Sequence, residues 1–206
     1  MKKSMMASVF TLLSWAGASH AADFTVQVTN LTSGNHFTPL LVAAHPSGSS
    51  LFTTGQPASA SLQAMAEGGD ISGLESDLTG LSATMASNPA NGLLAPGGSA
   101  SADLNTDGTS NTQLTVVAML LPTNDAFLGL NAITIPEEPG TYSWNVNAYD
   151  SGTEANDEII NGGGMPGAAG IPAAPAGDGG TGAMGVMTGA ENGTVHIHRG
   201  VLGDTD

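Results

Sequence analysis

The sequence predicts an all-β fold: an antiparallel β-sandwich, C2-like in build, with one or two short helices and a long Gly/Pro/Ala-rich loop. Three observations carry that prediction. Residues 24–30, Phe-Thr-Val-Gln-Val-Thr-Asn, alternate strictly and are β-branched, the pattern of a strand with one buried face. Turn chemistry, as in Asn30-Leu-Thr-Ser-Gly-Asn35 and Asp107-Gly108, punctuates the strand-like stretches. Helical patterns are few and do not alternate with strands, which argues against an α/β fold. A chain of 206 residues is the size of one domain with an appendage, and no internal repeat is visible.

Taken in order, Met1-Lys2-Lys3 is a short basic start, residues 5–16 are apolar, and Ser19-His20-Ala21 places small residues where a signal peptidase reads. Residues 1–21 are therefore expected to be a signal peptide and residues 22–206 the mature domain. The apolar run is too short to span a bilayer, and no other stretch approaches that length. Residues 37–44 form a second strand, nearly continuous in apolar side chains, whose beginning Pro39 confines to an edge or a bulge. Residues 58–67 predict a helix, capped by Ser59 or Ser61 and stopped by Gly68-Gly69. Residues 74–81 add a short helical turn. Strands follow at 97–104, 112–121, 141–148 and 194–202. Residues 112–121 are the strongest central-strand signal, an unbroken apolar run. The tract 161–193, rich in Gly, Ala, Pro and Met, lacks periodicity and reads as a mobile loop within the domain.

Charge narrows the partners. Three Lys+Arg stand against eighteen Asp+Glu. Cleavage would remove Lys2 and Lys3 and leave Arg199 alone, a formal charge of 1 − 18 = −17. Such a surface repels nucleic acid and anionic lipid and attracts cations, so neither of the first two is an expected partner. Adaptation to salt water would produce the same balance. Because charged residues are only 10% of the chain, the imbalance is a shortage of bases more than an excess of acids. Cysteine is absent, which excludes disulfides, Cys-based zinc sites, thiol catalysis and iron–sulfur clusters. An exported domain of this kind is held by its core, with bound metal as an aid.

The candidate chemistry lies in two acidic loops and a set of histidines. Tyr149-Asp-Ser-Gly-Thr-Glu-Ala-Asn-Asp-Glu158 carries Asp150, Glu154, Asp157 and Glu158 with no Lys or Arg nearby. Oxygen donors on a turn that a Gly lets bend sharply suit a hard ion such as Ca²⁺. A solvated acidic turn has the same composition. The second loop, Leu121-Pro-Thr-Asn-Asp-Ala-Phe-Leu-Gly129, follows the central strand. The two loops meet only if the strands before them run the same way, across two sheets or separated within one, and spacing does not say which. His196 and His198 alternate on the last strand and His45 ends an earlier one; with Met165, Met184 and Met187 they make copper or zinc the alternative metal, on His45, His196 and His198. His36 reads as a loop histidine. No nucleophile elbow, HExxH or phosphate-cradling loop is present, so no enzyme is expected. The pair Glu67 and Asp70 reads as a solvated helix end.

The two loops resemble a known family. Residues 121–129 are similar to the Pro-Ser-Pro-Asp-Trp-Phe-Val-Gly segment of spondin N-terminal domains, and Tyr149-Asp-Ser-Gly-Thr-Glu154 to their Asp-Ala-Gly-Thr-Asp/Glu segment, in the same order. Residues 24–45 and His198-Arg-Gly-Val resemble bacterial members, so the likeness spans nearly all of the mature chain. The resemblance implies an extracellular sandwich with one Ca²⁺ on Asp125, Asp150 and Glu154, completed by backbone carbonyls and water. The family's aromatic after the first Asp is Ala126 here, and its Ala after the second is Ser151; neither supplies a ligand. The cysteines and thrombospondin repeats of animal members are missing, and with them the warrant for their matrix-adhesion role. Some bacterial proteins similar to the family are copper-responsive surface proteins, in keeping with the histidine alternative. The expectation is a secreted or periplasmic, non-catalytic binding module stabilised by calcium, serving surface or matrix adhesion through an unidentified protein or surface ligand.

Overall fold

The computed structural model describes residues 23–154, 170–173, 175 and 193–200. The elements run β1 (Asp23–Thr29), β2 (His36–Phe37), β3 (Leu41–Pro46), α1 (Ala60–Gly68), α2 (Ser72–Gly80), β4 (Thr84–Ser87), β5 (Ser99–Asn105), β6 (Asn111–Leu121), β7 (Ala126–Thr134), β8 (Asn147–Asp150) and β9 (His196–Ile197). Strands β1 and β5 pair as a two-stranded ribbon; the rest form a seven-stranded sheet in the order β4-β3-β6-β7-β8-β9, with β2 beside the end of β6. Every strand pairing among the described residues is antiparallel.

The large sheet is covered on both faces, and this explains the unbroken apolar run in β6. Side chains alternate across a strand. Val116, Ala118 and Leu120 join one core cluster; Val117, Met119 and Leu121 join the other. Strand β3 divides in the same way, Val42 and Ala44 from Leu41 and Ala43. The ribbon closes the first face with Ala100, Ala102 and Leu104, backed by Phe24, Val26 and Val28. Its outer face is polar, with Thr25 Oγ1 donating to Asp103 Oδ1 at 2.6 Å. The helices close the second face with Leu62, Met65, Ala66, Leu74 and Leu78. The predicted sandwich is present, with two short helices laid over its far side.

The helix predicted at 58–67 is α1. Ser59 Oγ caps it, accepting from Leu62 N at 3.1 Å, and Gly69 stops it at φ 71°, a conformation that favours Gly. The expected short turn at 74–81 is a full nine-residue helix, α2. Pro39 divides the second predicted strand into β2 and β3, as a residue with no N–H to donate should.

Three expectations need correction. Residues 126–129, expected as the end of the second acidic loop, instead begin strand β7, Ala126–Thr134; Pro122, Asn124 and Asp125 before them and Gly129 within them mimic turn chemistry. Strand β4 has no counterpart in the sequence pattern, its four residues being too few for periodicity to register. Residues 141–146, expected as strand, are not; only Asn147 onward pairs, with β7. Alternating Tyr142, Trp144 and Val146 satisfy a period of two without a partner strand. Of the tract 161–193 only a few residues are described, and among them Ile171 is buried. Residues 1–22 and 201–206, and with them the predicted signal peptide, lie outside the described residues. Among the described residues no helix is long and apolar enough to cross a membrane.

Candidate metal centre

Strand β7 decides whether the two acidic loops meet. It lies between β6 and β8, antiparallel to both, so β6 and β8 run the same way within one sheet. The loop after β6 and the loop after β8 therefore emerge at the same rim. Ala126 pairs with Asp150, and Ser151 N donates to the Asp125 carbonyl at 3.2 Å, joining the loops at their bases.

Aromatic packing holds that rim. Phe52 contacts Phe127 edge-on with ring centroids 5.1 Å apart, and Phe127 stacks on Tyr149 at 5.6 Å. Gly129 makes room for them, since a Cβ there would lie 2.6 Å from Phe52 Cζ and 2.9 Å from Tyr149 Cδ2. Tyr149 in turn fixes the backbone entering Asp150.

The carboxylates are buried. Asp125 is 0% exposed, Asp150 1% and Glu154 1%. Asp125 Oδ2 gathers the second loop about itself, accepting from Ser151 Oγ at 2.8 Å, Thr153 N at 2.9 Å and Glu154 N at 3.1 Å. Its other oxygen, Oδ1, is buried without a partner among the described residues. Asp150 Oδ1 accepts from Gly152 N at 2.7 Å, in a turn that Gly152 permits at φ 73°. Glu154 Oε2 accepts from Gly170 N at 2.8 Å and Asn124 Nδ2 at 3.4 Å, while its Oε1 is also buried, with no partner among the described residues.

Desolvation and mutual repulsion follow. Burial, and then the Asp150 carboxylate, push the Asp125 carboxyl up to about 6 against the hydrogen bonds it accepts. Burial first, with the Glu67 and Asp125 charges behind it, pushes Glu154 up to about 7. Glu67, expected at a solvated helix end, is instead fully buried near the end of α1, accepting from Gln63 Nε2 at 2.7 Å. Its trace in the sequence is only the Gln63–Glu67 spacing of four, which puts both on one side of a helix. Asp70 stays near the surface, where Oδ1 accepts from Ser72 N at 2.9 Å at the start of α2. Asn124 is the other contributor that the sequence does not flag.

The only Lys or Arg among the described residues is Arg199. Beside the carboxylates, His196 places its Nε2 3.7 Å from Asp150 Oδ2. Among the described residues, no three His, Cys, Asp or Glu side chains close on one point as a finished cage. The donor chemistry nonetheless fits a hard cation: carboxylate oxygen throughout, and two buried carboxylate oxygens without a hydrogen-bond partner among the described residues.

The histidine set does not gather. His45 lies opposite Gln113, near the start of β6, whereas His196 pairs with Asp150 at the rim where β6 ends. His45 is buried and both its ring nitrogens are engaged, Nδ1 with Ser49 Oγ at 2.9 Å and Nε2 with Thr115 Oγ1 at 2.8 Å. Ser49 Oγ donates to the Pro46 carbonyl and so accepts from Nδ1–H; Nε2 then accepts from the Thr115 hydroxyl. Ala132 N donates to the same Thr115 oxygen at 2.9 Å, at the bulge where Ala132 takes φ 51°. The neutral imidazole is thus a strut between β3, β6 and β7, and burial lowers its pKa. His198 Nδ1 accepts from Gly200 N at 2.9 Å. His36 is in β2 rather than a loop. Asp157, Glu158, Met165, Met184 and Met187 lie outside the described residues.

No curated protein matches the chain. The family model Spondin_N matches residues 7–158, from before β1 to beyond Glu154, and takes in both acidic loops. The chain belongs to the Spondin_N family, whose domain is a non-catalytic module typical of extracellular proteins.

Proposed function

We propose that this is an exported, non-catalytic binding module whose rim holds one calcium ion on Asp125, Asp150 and Glu154. The ion braces the two loops for surface or matrix adhesion through a protein or surface ligand. The observation that carries the reading is that Asp125 Oδ1 and Glu154 Oε1 are buried without a hydrogen-bond partner among the described residues, on two loops joined at their bases. An ion would replace the missing donors and offset the burial, and behind it the mutual repulsion, that raises both pKa values. It would stabilise the folded state by mass action. A copper or zinc ion on His45, His196 and His198 has less support, because His45 commits both nitrogens to Ser49 and Thr115. Elemental analysis of the purified protein, with thermal melts in calcium and in chelator, tests the reading. Calcium at about one equivalent and a melting temperature that chelation lowers are expected. A protein that takes up no calcium after dialysis against it overturns the proposal.

A further inference from the structure

The segment joining the far end of β7 to β8 carries a feature that the calcium site does not use. Residues 137–147 are all exposed. Within them Tyr142 and Trp144 are 46% and 44% exposed, yet their rings are ordered against each other, near-parallel at 24° with centroids 6.2 Å apart. The pair is built into its surroundings. Tyr142 Oη donates to the Glu138 carbonyl at 2.9 Å, drawing the ring back over the preceding turn. Gly140 lies beneath it: a Cβ there would meet Tyr142 Cε2 at 3.3 Å. Large aromatics left in water are disfavoured unless something covers them, and a rigid pair loses little entropy when it is covered.

Charge indicates what covers it. Glu137 and Glu138 stand in the turn that Tyr142 grips, both exposed, in a chain of formal charge −15. Aromatic faces attract cations through their quadrupole, and neighbouring carboxylates add a longer-range attraction that steers encounter. An acidic peptide, a nucleic acid or an anionic glycan would be repelled. We propose that the Tyr142–Trp144 pair, with Glu137 and Glu138, is a docking site for an Arg- or Lys-bearing segment of a partner protein. A guanidinium or ammonium lies on the ring faces and pairs with the carboxylates. Because the rings hold the cation at short range, they supply selectivity that net charge alone does not.

Calorimetric titration of the protein with a deca-arginine peptide, with deca-glutamate as reference, tests this in calcium and in chelator alike. Binding of deca-arginine is expected, weakened about tenfold by Trp144→Ala and less by Trp144→Phe, which keeps a ring. Glu137→Gln/Glu138→Gln is expected to weaken it more than the charge-matched pair Asp77→Asn/Asp107→Asn on other exposed surfaces. Equal losses in the two charge-matched pairs, or an unchanged affinity in Trp144→Ala, overturn the proposal. So does binding of neutral cellohexaose that survives Glu137→Gln/Glu138→Gln, which would make the pair a sugar platform. Calcium-independent binding supports this site even if the calcium reading fails.

Discussion

Replacing Asp125 by Asn keeps its shape and removes its charge, so it separates two roles that the same carboxylate plays. Oδ2 is a hydrogen-bond acceptor that organises residues 151–154; Oδ1 is the unpartnered oxygen offered to a cation. A rise of the Asp125 carboxyl from 3.8 to about 6 means that, without metal at pH 8, its charge destabilises the fold by roughly 3 kcal/mol, at about 1.4 kcal/mol for each tenfold change in proton affinity. The amide introduced by Asp125→Asn escapes that cost and still accepts through its carbonyl oxygen. In chelator at pH 8, Asp125→Asn is therefore expected to be more stable than wild type by about 1–3 kcal/mol, because the site relaxes around the amide. Calcium offsets that difference. For a dissociation constant of about 10⁻⁴–10⁻³ M, typical of extracellular modules, 10 mM calcium (about 10–100 times that constant) contributes about 1.4–2.7 kcal/mol. In a domain of this size that is about 3–10 °C in melting temperature, present in wild type and absent in the variant. The assay is a thermal melt of both proteins in chelator and in calcium. If Asp125→Asn melts lower in chelator and both proteins respond equally to calcium, Asp125 is only a loop acceptor and the reasoning is refuted.

The same contacts set the pH response and the tolerance of the rim. In chelator, the contribution of Asp125 and Glu154 to wild-type stability should be greatest below about pH 4 and be lost as pH rises through about 6 and about 7, because their folded state holds protons that the unfolded chain releases nearer pH 4; saturating calcium should flatten that fall in urea titrations. His45 acts in the opposite sense: its folded pKa is lowered, so its contribution is complete above about 6.5 and lost as pH falls below. His45→Gln should remove that acid limb in calcium-loaded protein, at some loss of stability at neutral pH. Gly129→Ala should destabilise the protein by about 1–3 kcal/mol through the clash with Phe52 and Tyr149, and weaken the calcium response because Tyr149 carries Asp150; a melt within about 1 °C of wild type would show that the rings shift freely.

Much of the fold can be read from residue pattern because pattern reports burial. Residues 24–30 alternate because only one face of β1 meets the core, and residues 112–121 do not because β6 is covered on both sides. The same reasoning fails at 141–146, where alternation marks an aromatic pair in water, and at 126–134, where a strand begins directly after the acidic turn. Asp125, Asp150 and Glu154 are nameable because their loops resemble those of the family. Glu67 is not, since a Glu beside Gly68-Gly69 looks the same whether solvated or buried beneath a sheet.

By itself the sequence determined a strand-rich body, a chain almost without basic residues, the absence of cysteine, and two loops of hard oxygen donors. These depend on residue type and on neighbours a few positions away. Tertiary structure alone decided that β7 stands between β6 and β8, and this places Asp125 beside Asp150 while His45 goes to the other end of the sheet. Strand order is set by packing between residues far apart in the chain, and no local period encodes it. The charge on Asp125 and Glu154 is likewise not a property of the residues but of the water withdrawn from them.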